Sequence, residues 1–304
     1  MHLRTPKDPC VGVIARNEIC TARKAAGFVR HIEIDVAGTE LAGVCLPGQS
    51  IGVIPPGVDE LGRPHKVRLY SICSPTRGED GKGAVVATTV KRTIDEHWET
   101  HRLFLGVASN FLCDAQVGEK VPLSGPNGKR FLLPVDRNAH DYLFFATGTG
   151  IAPFRGMVLD LLESGCASGI TLVMGAPYAS DLLYHDQFLQ LQEAHANFRY
   201  VTAISRERQE DSAGPMYVQD RLPTAPCEPA LASLRSGRAL VYVCGVAGME
   251  IGILQQIARL LPPDALAQYI AADSAAMADV ASWSRKMLHH AVKPTRKVFL
   301  EVYA

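Results

Sequence analysis

The sequence predicts a β + α/β protein in which an antiparallel β-barrel is followed by a parallel sheet flanked by helices. Three observations predict this class. Short apolar runs with period-two alternation lie between Gly/Pro turns in residues 1–137, as in antiparallel strands. Residues 138–304 instead alternate apolar strands with amphipathic helices, as in parallel sheets. The chain of 304 residues is long for one domain, so each pattern is predicted to form its own domain.

Composition excludes several classes of protein. The 31 basic and 31 acidic residues cancel, which argues against a general binder of nucleic acid or membrane surfaces. The first residues lack the apolar core of a signal peptide, and no run of about 18 apolar residues predicts a membrane helix. The eight cysteines form no C-x-x-C pair, so we expect no metal site and no iron–sulfur cluster. Thiols in a reducing, cytoplasmic compartment are expected instead.

The first half contains six predicted strands, which indicate an antiparallel barrel or sandwich. Their β-branched residues and alternating pattern favour strands over helices. In the second strand, His31, Glu33 and Asp35 alternate with apolar residues, which predicts one solvent-facing and one buried face. The six segments, in chain order, are VGVIAR, FVRHIEIDV, QSIGVIP, VRLYSIC, AVVATTVKR and KVPLSG.

The second half follows the connector GKRFLLPVDRNAHD. Apolar runs without alternation predict buried parallel strands, and apolar stripes at helical spacing predict the helices between them. The Pro-rich stretch LPTAPCEPALASLRSGRA predicts a loop that leads into a short helix. The strand segments are YLFFA, ITLVMGA, FRYVTAIS, ALVYVCG and KVFLEVY, and the helical ones are FRGMVLDLLESG, LLYHDQFLQLQEAH and MEIGILQQIARLL.

The turn between the first of these strands and its helix carries Thr-Gly-Thr-Gly at residues 147–150. Gly148 and Gly150 are able to adopt positive φ and leave no side chain between the backbone and a bound group. Pro153 fits the first turn of a helix. A strand, a glycine-rich turn and a helix N-terminus together form an anion site for a phosphate. An ordinary turn from strand to helix explains the same residues equally well.

Two segments of the first half also suit phosphate binding. Arg68 and Tyr70 lie on one strand face, where an arginine can hold a pyrophosphate while the tyrosine packs on an aromatic ring. An exposed arginine beside a half-buried tyrosine is the alternative. The segment GVASNFLCD opens a short helix whose amides could face an anion. Alternatively, Ser109 or Asn110 is simply the N-cap of that helix.

Polar residues follow the strands of the second half, at the end where α/β sheets bind ligands. Ser205 and Arg206 suit a 2′-phosphate better than a 2′-hydroxyl, which usually takes an acidic side chain. Cys244 ends another strand beside a glycine, although a buried structural cysteine explains it too. Glu301 and Tyr303 lie on one side of the final strand.

Taken together, these motifs resemble the plant-type ferredoxin–NADP(+) reductases over essentially the whole chain. The segment GQSIGVIPPGVDELGRPHKVRLYS matches that family almost residue for residue. The resemblance implies an FAD-binding β-barrel domain at 1–137 and a Rossmann-like NADP-binding domain at 138–304. The motifs that carry it stand in the family's order: RLYS, GVASNFLCD, TGTGIAPFR, SRE, MYVQ, VCG, GME and EVY.

The resemblance also implies a role for individual residues. It makes Ser71, Cys244, Glu301 and Tyr303 the catalytic set, with Ser71 near the flavin N5 and Tyr303 stacked on the flavin. It implies FAD contacts by Arg68, Leu69, Tyr70, Ser71, Thr89, Val90, Lys91, Val107, Ala108, Ser109 and Tyr303. It implies NADP(H) contacts by Thr149, Ala176, Pro177, Ser205, Arg206, Tyr217 and Gly245.

Three residues depart from the family's pattern. Ala108 stands where a cysteine is frequent, so that thiol is missing here. Pro215 stands where a lysine is common, which removes one cation near the 2′-phosphate and is expected to relax the preference for NADP. Ala304 follows the tyrosine that ends the plant enzymes.

The resemblance implies an enzyme that passes electrons between NADP(H) and ferredoxin or flavodoxin, as a monomer or weak dimer. One alternative is the reductase of a multicomponent oxygenase or epoxidase, such as one that degrades aromatic CoA esters. Another is an electron-transfer subunit of a larger complex, but relatives of that kind carry a cysteine cluster that this chain lacks. The candidate residues for docking the electron partner are Arg63, Lys66, Lys91, Arg92, Lys129 and Arg130, and ordinary solvated surface charge explains each of them equally well.

Overall fold

A computed structural model describes residues 3–25, 27–212 and 214–303. The contacts divide it into two compact units, Met1–Leu132 with Ala152–Asp160, and Leu133–Ile151 with Leu161–Ala304. The domain boundary expected after residue 137 stays a prediction. Across the described ranges, every helix is too short or too polar to cross a membrane.

The first unit is an antiparallel sheet whose strand order is β4-β3-β8-β1-β2-β5. The two outer strands approach each other, since Ile72 bridges Thr88 and the Cys73 N–H donates to the Ala87 carbonyl at 2.8 Å. This contact closes the sheet and confirms the predicted barrel. The elements of the unit are β1 (Cys10–Ile19), β2 (Val29–Asp35), β3 (Ser50–Val53), β4 (Arg68–Ser71), β5 (Val85–Lys91), β6 (Ile94–Glu96), β7 (Leu103–Leu105), α1 (Val107–Asp114) and β8 (Lys120–Asn127).

The expectation that His31 faces solvent is wrong. Its side chain is buried, with the Cys73 sulfur 3.6 Å from Nδ1 and a Glu33 oxygen 3.4 Å from Nε2. Burial alone would lower the pKa of His31, but the Cys73 sulfur and the Glu33 carboxylate raise it to about 9. Cys73 and Glu33 therefore stabilise a protonated His31 ring. This ring lies on the strand face that the alternating sequence pattern predicts to be exposed to solvent.

The charges around His31 are balanced by arginine. Arg155 donates to Glu79 (Nη2–Oε2 3.2 Å) and to the Cys73 carbonyl at 3.0 Å, while Arg16 contacts Glu33 at 3.2 Å. The ligand-type atoms of His31, Glu33 and Glu79 lie within 4.8 Å of one another. Since guanidinium groups already bind both carboxylates, we interpret the cluster as a buried ion network.

The second unit is built on a parallel sheet of strand order β11-β10-β9-β12-β15. This sheet confirms the predicted α/β fold. Its elements are β9 (Asp141–Thr147), α2 (Ile151–Glu163, of which Ala152–Asp160 groups with the first unit), β10 (Ile170–Ala176), α3 (His185–Ala194), β11 (Phe198–Ile204), α4 (Glu228–Arg235), β12 (Ala239–Val246), α5 (Met249–Leu260), α6 (Pro263–Leu266), β13 (Ile270–Ala272), α7 (Ser274–Ala278), β14 (Val292–Pro294) and β15 (Val298–Tyr303).

The strand order places a topological switch point in the second unit. The chain runs from β9 outward to β10 and β11, then returns to place β12 on the other side of β9. Loops that leave β9 and β12 therefore depart in opposite directions from the carboxyl ends of these two strands, the place where α/β sheets bind ligands.

Two small antiparallel ribbons were not predicted. In the first unit β6 pairs with β7, and in the second β13 pairs with β14. Each strand is only three residues long, which is too short for a periodic signal in the sequence.

Candidate functional site

The Thr147–Gly150 turn, hereafter the TGTG loop, follows β9 and leads directly into α2. Gly148 has φ +53, which confirms the left-handed conformation expected there. Gly150 does not use this freedom, since its φ is not positive. Glycine is required at 150 for space instead, because a Cβ would lie 2.2 Å from the Cys244 carbonyl oxygen.

Side-chain hydrogen bonds fix the loop against β12. Thr147 Oγ1 accepts from the Val246 N–H at 2.9 Å and lies 3.3 Å from the Met249 sulfur. Gly245 is equally constrained, since a Cβ there would lie 2.1 Å from Thr147 Oγ1. The ends of β9 and β12 are therefore held in close contact through the Thr147 hydroxyl and the two glycines.

Cys244 and Glu301 lie side by side at this edge. They are register partners in the β12–β15 pair, and Cys244 also pairs with Ala146 on β9. Burial, with a smaller contribution from Glu301, raises the pKa of Cys244, so its sulfur is a neutral thiol at physiological pH. Although Glu301 is exposed as a residue, partial burial of its carboxyl raises its pKa to about 7. The pair thus combines a neutral thiol with a carboxyl that changes charge near neutrality.

Tyr303 ends β15 on the same side as Glu301. Its hydroxyl lies 2.8 Å from Thr149 Oγ1 and donates weakly to the Thr147 carbonyl at 3.3 Å. The residue is 43% exposed, so it does not belong to the core of the sheet. The tyrosine therefore stands over the TGTG loop. Ala304 lies outside the described residues.

The ends of β10 and β11 are joined by backbone hydrogen bonds. The Ser205 N–H donates to the Ala176 carbonyl and the Arg206 N–H to the Pro177 carbonyl, both at 3.0 Å. Tyr217 follows this region and is 63% exposed. Seven predicted NADP(H) residues thus lie at or just beyond the carboxyl ends of β9 to β12: Thr149, Ala176, Pro177, Ser205, Arg206, Tyr217 and Gly245.

The predicted FAD residues lie on β4, β5 and α1 of the first unit. On β4, Arg68 and Leu69 are exposed, and burial raises the pKa of Tyr70 to about 12. The Ser71 carbonyl accepts from Thr88 Oγ1 at 2.9 Å, which links β4 to β5. On β5 the side chains of Thr89 and Val90 are buried and Lys91 is exposed, so Thr89 and Val90 could contact a flavin chiefly through their backbone.

Helix α1 begins at Val107 with Gly106 as its N-cap, so neither Ser109 nor Asn110 caps it. Ser109 Oγ instead donates to the Gly106 carbonyl at 3.0 Å and accepts from the Thr93 N–H at 3.1 Å. The amides of Val107 to Ser109 have no acceptor within the helix, because they belong to its first turn. A short helix with open first-turn amides fits a pyrophosphate.

The β6–β7 hairpin leads directly into this helix and was missed in the sequence. Its apolar side chains are exposed, with Leu103 at 70% and Phe104 at 60%. The signal available in the sequence was the run Leu103–Leu105 immediately before Gly106. The hairpin thus presents apolar side chains beside the N-terminus of α1.

Two of the predicted docking cations are already paired. Arg63 binds the Asp59 carboxylate at 2.8 Å, and Arg92 binds Asp114 and the Asn110 side chain. Such exposed pairs are worth little energy and can open for a partner. Docking by these two residues and by Lys66, Lys91, Lys129 and Arg130 stays a prediction.

Known proteins resemble the chain in sequence and fold. The oxidoreductase NAD-binding domain family matches residues 144–255. A ferredoxin–NADP reductase from Spirulina sp. is 39% identical over 259 residues, covering 83% of this chain and 87% of that protein. The chloroplastic ferredoxin–NADP reductase, leaf isozyme 1, of Arabidopsis thaliana is 38% identical over 267 residues, covering 86% of this chain and 72% of that protein. The structure of ferredoxin-NADP+ reductase from Plasmodium falciparum shares the fold, with a TM-score of 0.70, 23% identity and coverage of 99% and 98%.

Proposed function

This chain belongs to the ferredoxin–NADP reductase family, and we propose that it is an FAD-dependent oxidoreductase that passes electrons between NADP(H) and a one-electron carrier of the ferredoxin type. One observation supports the proposal most directly. The TGTG loop, Cys244 and Glu301 lie together at the carboxyl ends of β9, β12 and β15, and Gly150 and Gly245 let the loop approach the β12 backbone closely. A phosphate-binding turn beside a titratable carboxyl suits a bound dinucleotide.

In the first unit, Arg68, Tyr70 and the first-turn amides of α1 would hold FAD. When bound, FAD accepts two electrons as hydride from the nicotinamide and releases them one at a time. Arg68 is exposed and free to direct its planar guanidinium at a pyrophosphate, which arginine binds bidentately. The hydroxyl of Ser71 is proposed to face the reactive edge of the flavin.

In the second unit, the TGTG loop would hold the pyrophosphate of NADP(H), and Ser205 and Arg206 its 2′-phosphate. Tyr217 presents an exposed ring that suits stacking on the adenine. Cys244 and Glu301 would flank the nicotinamide. Because the Cys244 thiol stays neutral, it contributes shape and polarisability, while Glu301 can hold or release a proton near pH 7. Cover of the flavin by Tyr303 stays a prediction.

We propose the class of the electron partner and not an individual protein. The relatives named above are ferredoxin–NADP reductases, which favours a ferredoxin-type carrier over a dedicated oxygenase or epoxidase component. A flavodoxin partner, a cytoplasmic location and a monomeric or weakly dimeric state stay predictions.

Cofactor analysis of the purified protein tests the proposal. We expect a yellow protein that releases one FAD per chain on denaturation and contains no stoichiometric iron. The bleaching of its visible absorption by NADPH under anaerobic conditions would report hydride acceptance. A colourless protein that does not bind added FAD, or one that holds iron in place of flavin, would overturn the proposal.

Replacing Arg68 by alanine is expected to weaken FAD binding. The variant loses a charge-assisted contact to phosphate worth about 1.5–3 kcal/mol, which raises the Kd for FAD about 10- to 100-fold. Titration of the apoprotein with FAD, followed by flavin fluorescence, measures the change. Arg63→Ala is the matched control, since Arg63 is also an exposed arginine of the first unit and pairs with Asp59. Equal losses in both variants would show that Arg68 does not contact FAD.

Replacing Arg206 by alanine is expected to raise KM for NADPH about 10- to 100-fold and to leave KM for NADH nearly unchanged. The reason is that the guanidinium binds only the 2′-phosphate, which NADH lacks. Steady-state diaphorase kinetics with both nucleotides measure the effect. Arg199→Ala, at the opposite end of β11, serves as the control. A similar loss with both nucleotides would make Arg206 structural.

A further inference from the structure

Arg206 is stacked on an aromatic ring in the second unit. Its guanidinium carbon lies 5.8 Å from the centre of the Tyr178 ring, within the range of cation–π contacts. Tyr178 is half-buried, whereas Arg206 is exposed. A long exposed side chain usually samples many rotamers, so a ring beneath it restricts where its charge can lie.

The contact rests on anchored backbone on both sides. The Arg206 N–H donates to the Pro177 carbonyl at 3.0 Å, immediately before Tyr178. The Ala179 N–H, immediately after it, donates to Glu207 Oε2 at 2.8 Å, next to Arg206. The Tyr178 carbonyl also accepts from the Asp181 N–H at 3.0 Å. The first two of these hydrogen bonds join the loop after β10 to the loop after β11, one on each side of Tyr178. They therefore fix the position of Arg206 relative to the Tyr178 ring.

Stacking leaves the guanidinium able to bind a phosphate. Its N–H groups lie in the plane of the group, so a ring on one face does not occupy any donor. An ammonium group could not use the same arrangement, because it has no flat face. The ring therefore restrains the cation without accepting from its N–H groups.

We propose that Tyr178 is a positioning residue for Arg206 and a determinant of the preference for NADPH over NADH. This inference rests on the proposed function. Tyr178 holds the guanidinium near the carboxyl end of β11, where the 2′-phosphate would lie, so less side-chain entropy is lost when the phosphate binds. Restraint matters more here because Pro215 supplies no second cation.

The glutamate beside the pair is held by the same loop as the arginine. Glu207 Oε2 is occupied by the Ala179 N–H. An acidic side chain at this strand end commonly binds the ribose 2′-hydroxyl of NAD and would repel a 2′-phosphate. In the segment Pro177–Ala179, the Tyr178 ring thus contacts Arg206 and the Ala179 N–H binds the Glu207 carboxylate.

The test compares the binding of two fragments, 2′-phospho-AMP and AMP, to the FAD-loaded protein by titration calorimetry. These fragments lack the nicotinamide, so the readout is independent of turnover. Tyr178→Ala is expected to weaken 2′-phospho-AMP about two- to five-fold, the range for an exposed cation–π contact, and to leave AMP unchanged. Tyr178→Phe keeps the ring and is expected to bind both fragments like the unmodified protein. In an Arg206→Ala background, Tyr178→Ala is expected to cause no further loss.

Each other outcome overturns one specific claim. If Tyr178→Ala binds 2′-phospho-AMP normally, or weakens AMP equally, Tyr178 does not position Arg206. The same follows if Tyr178→Ala and Arg206→Ala show fully additive losses. If the unmodified protein binds both fragments equally, the 2′-phosphate site itself fails, and with it the preference for NADP in the proposed function. Thermal melting of each variant shows that the fold is retained.

Discussion

Replacing Glu301 by alanine is expected to lower the rate of flavin reduction by NADPH about 100-fold, the lower end of the range for a positioned acid or base. Its carboxyl lies beside Cys244 at the switch point, and its pKa of about 7 lets it change charge near neutrality. Cys244→Ser is expected to slow the same step. Both variants are expected to bind NADP+ with nearly normal affinity, since contacts made mainly in the transition state affect the rate and not binding.

Stopped-flow mixing of each variant with NADPH, together with titration by NADP+, separates the two effects. Unchanged rates in both variants would leave Cys244 as a buried structural residue and remove Glu301 from the site. Rates that fall only in proportion to NADP+ affinity would assign both residues to binding.

The pH dependence of protein stability tests whether the pKa of Glu301 is raised. Burial raises its pKa from 4.5 to about 7, so the folded state holds a proton that the unfolded state has lost over this interval. The contribution of protonated Glu301 to the free energy of unfolding is fully present below pH 4.5 and is lost as pH rises through about 7. Relative to Glu301→Gln, the Tm of the unmodified protein is therefore expected to fall between pH 5 and pH 8. A constant difference would mean that the carboxyl titrates normally.

Replacing Gly150 by alanine is expected to displace the TGTG loop. The added Cβ would lie 2.2 Å from the Cys244 carbonyl oxygen and 2.6 Å from the Gly245 Cα, and neither backbone atom can move without shifting β12. Such overpacking costs about 1–3 kcal/mol of folding free energy. We expect the Kd for NADP+ to rise at least about tenfold, because the loop amides lose their alignment with the pyrophosphate.

Urea unfolding and NADP+ titration measure these two losses. Gly169→Ala is the matched control, because its Cβ would approach Asp141 no closer than 3.6 Å. If Gly150→Ala binds NADP+ as well as Gly169→Ala does, the loop does not hold the pyrophosphate.

Local patterns predicted most of the fold. The barrel strands and the parallel strands are long enough for alternation or continuous apolarity to show, and the helices carry apolar stripes. The three-residue strands of the β6–β7 hairpin show neither pattern. His31 was misplaced for a different reason. Its burial depends on Cys73, Glu79 and Arg155, which are 42 to 124 positions away in the sequence and approach only when the barrel closes.

The candidate site was predictable in its residues but not in its geometry. The ends of parallel strands necessarily share one edge, so Cys244 and Ser205 could be assigned to it from the sequence. The requirement for glycine at 150 depends on the Cys244 carbonyl, and the stacking of Arg206 on Tyr178 depends on how two loops meet. Contacts between distant segments leave no local signal in the sequence, so the identity of the atoms that each residue approaches was not predictable.

The assignment as a reductase is tested by NADPH-dependent reduction of cytochrome c by the FAD-loaded protein, with and without added ferredoxin. We expect slow reduction without ferredoxin, a large acceleration that saturates with ferredoxin, and weaker activity with NADH at the same concentration. Flavodoxin and a ferredoxin-free oxygenase component serve as alternative carriers in parallel assays. If no ferredoxin accelerates the reaction, or if NADH supports it better than NADPH, the assignment as an NADP(H)-linked reductase of a ferredoxin-type carrier is contradicted.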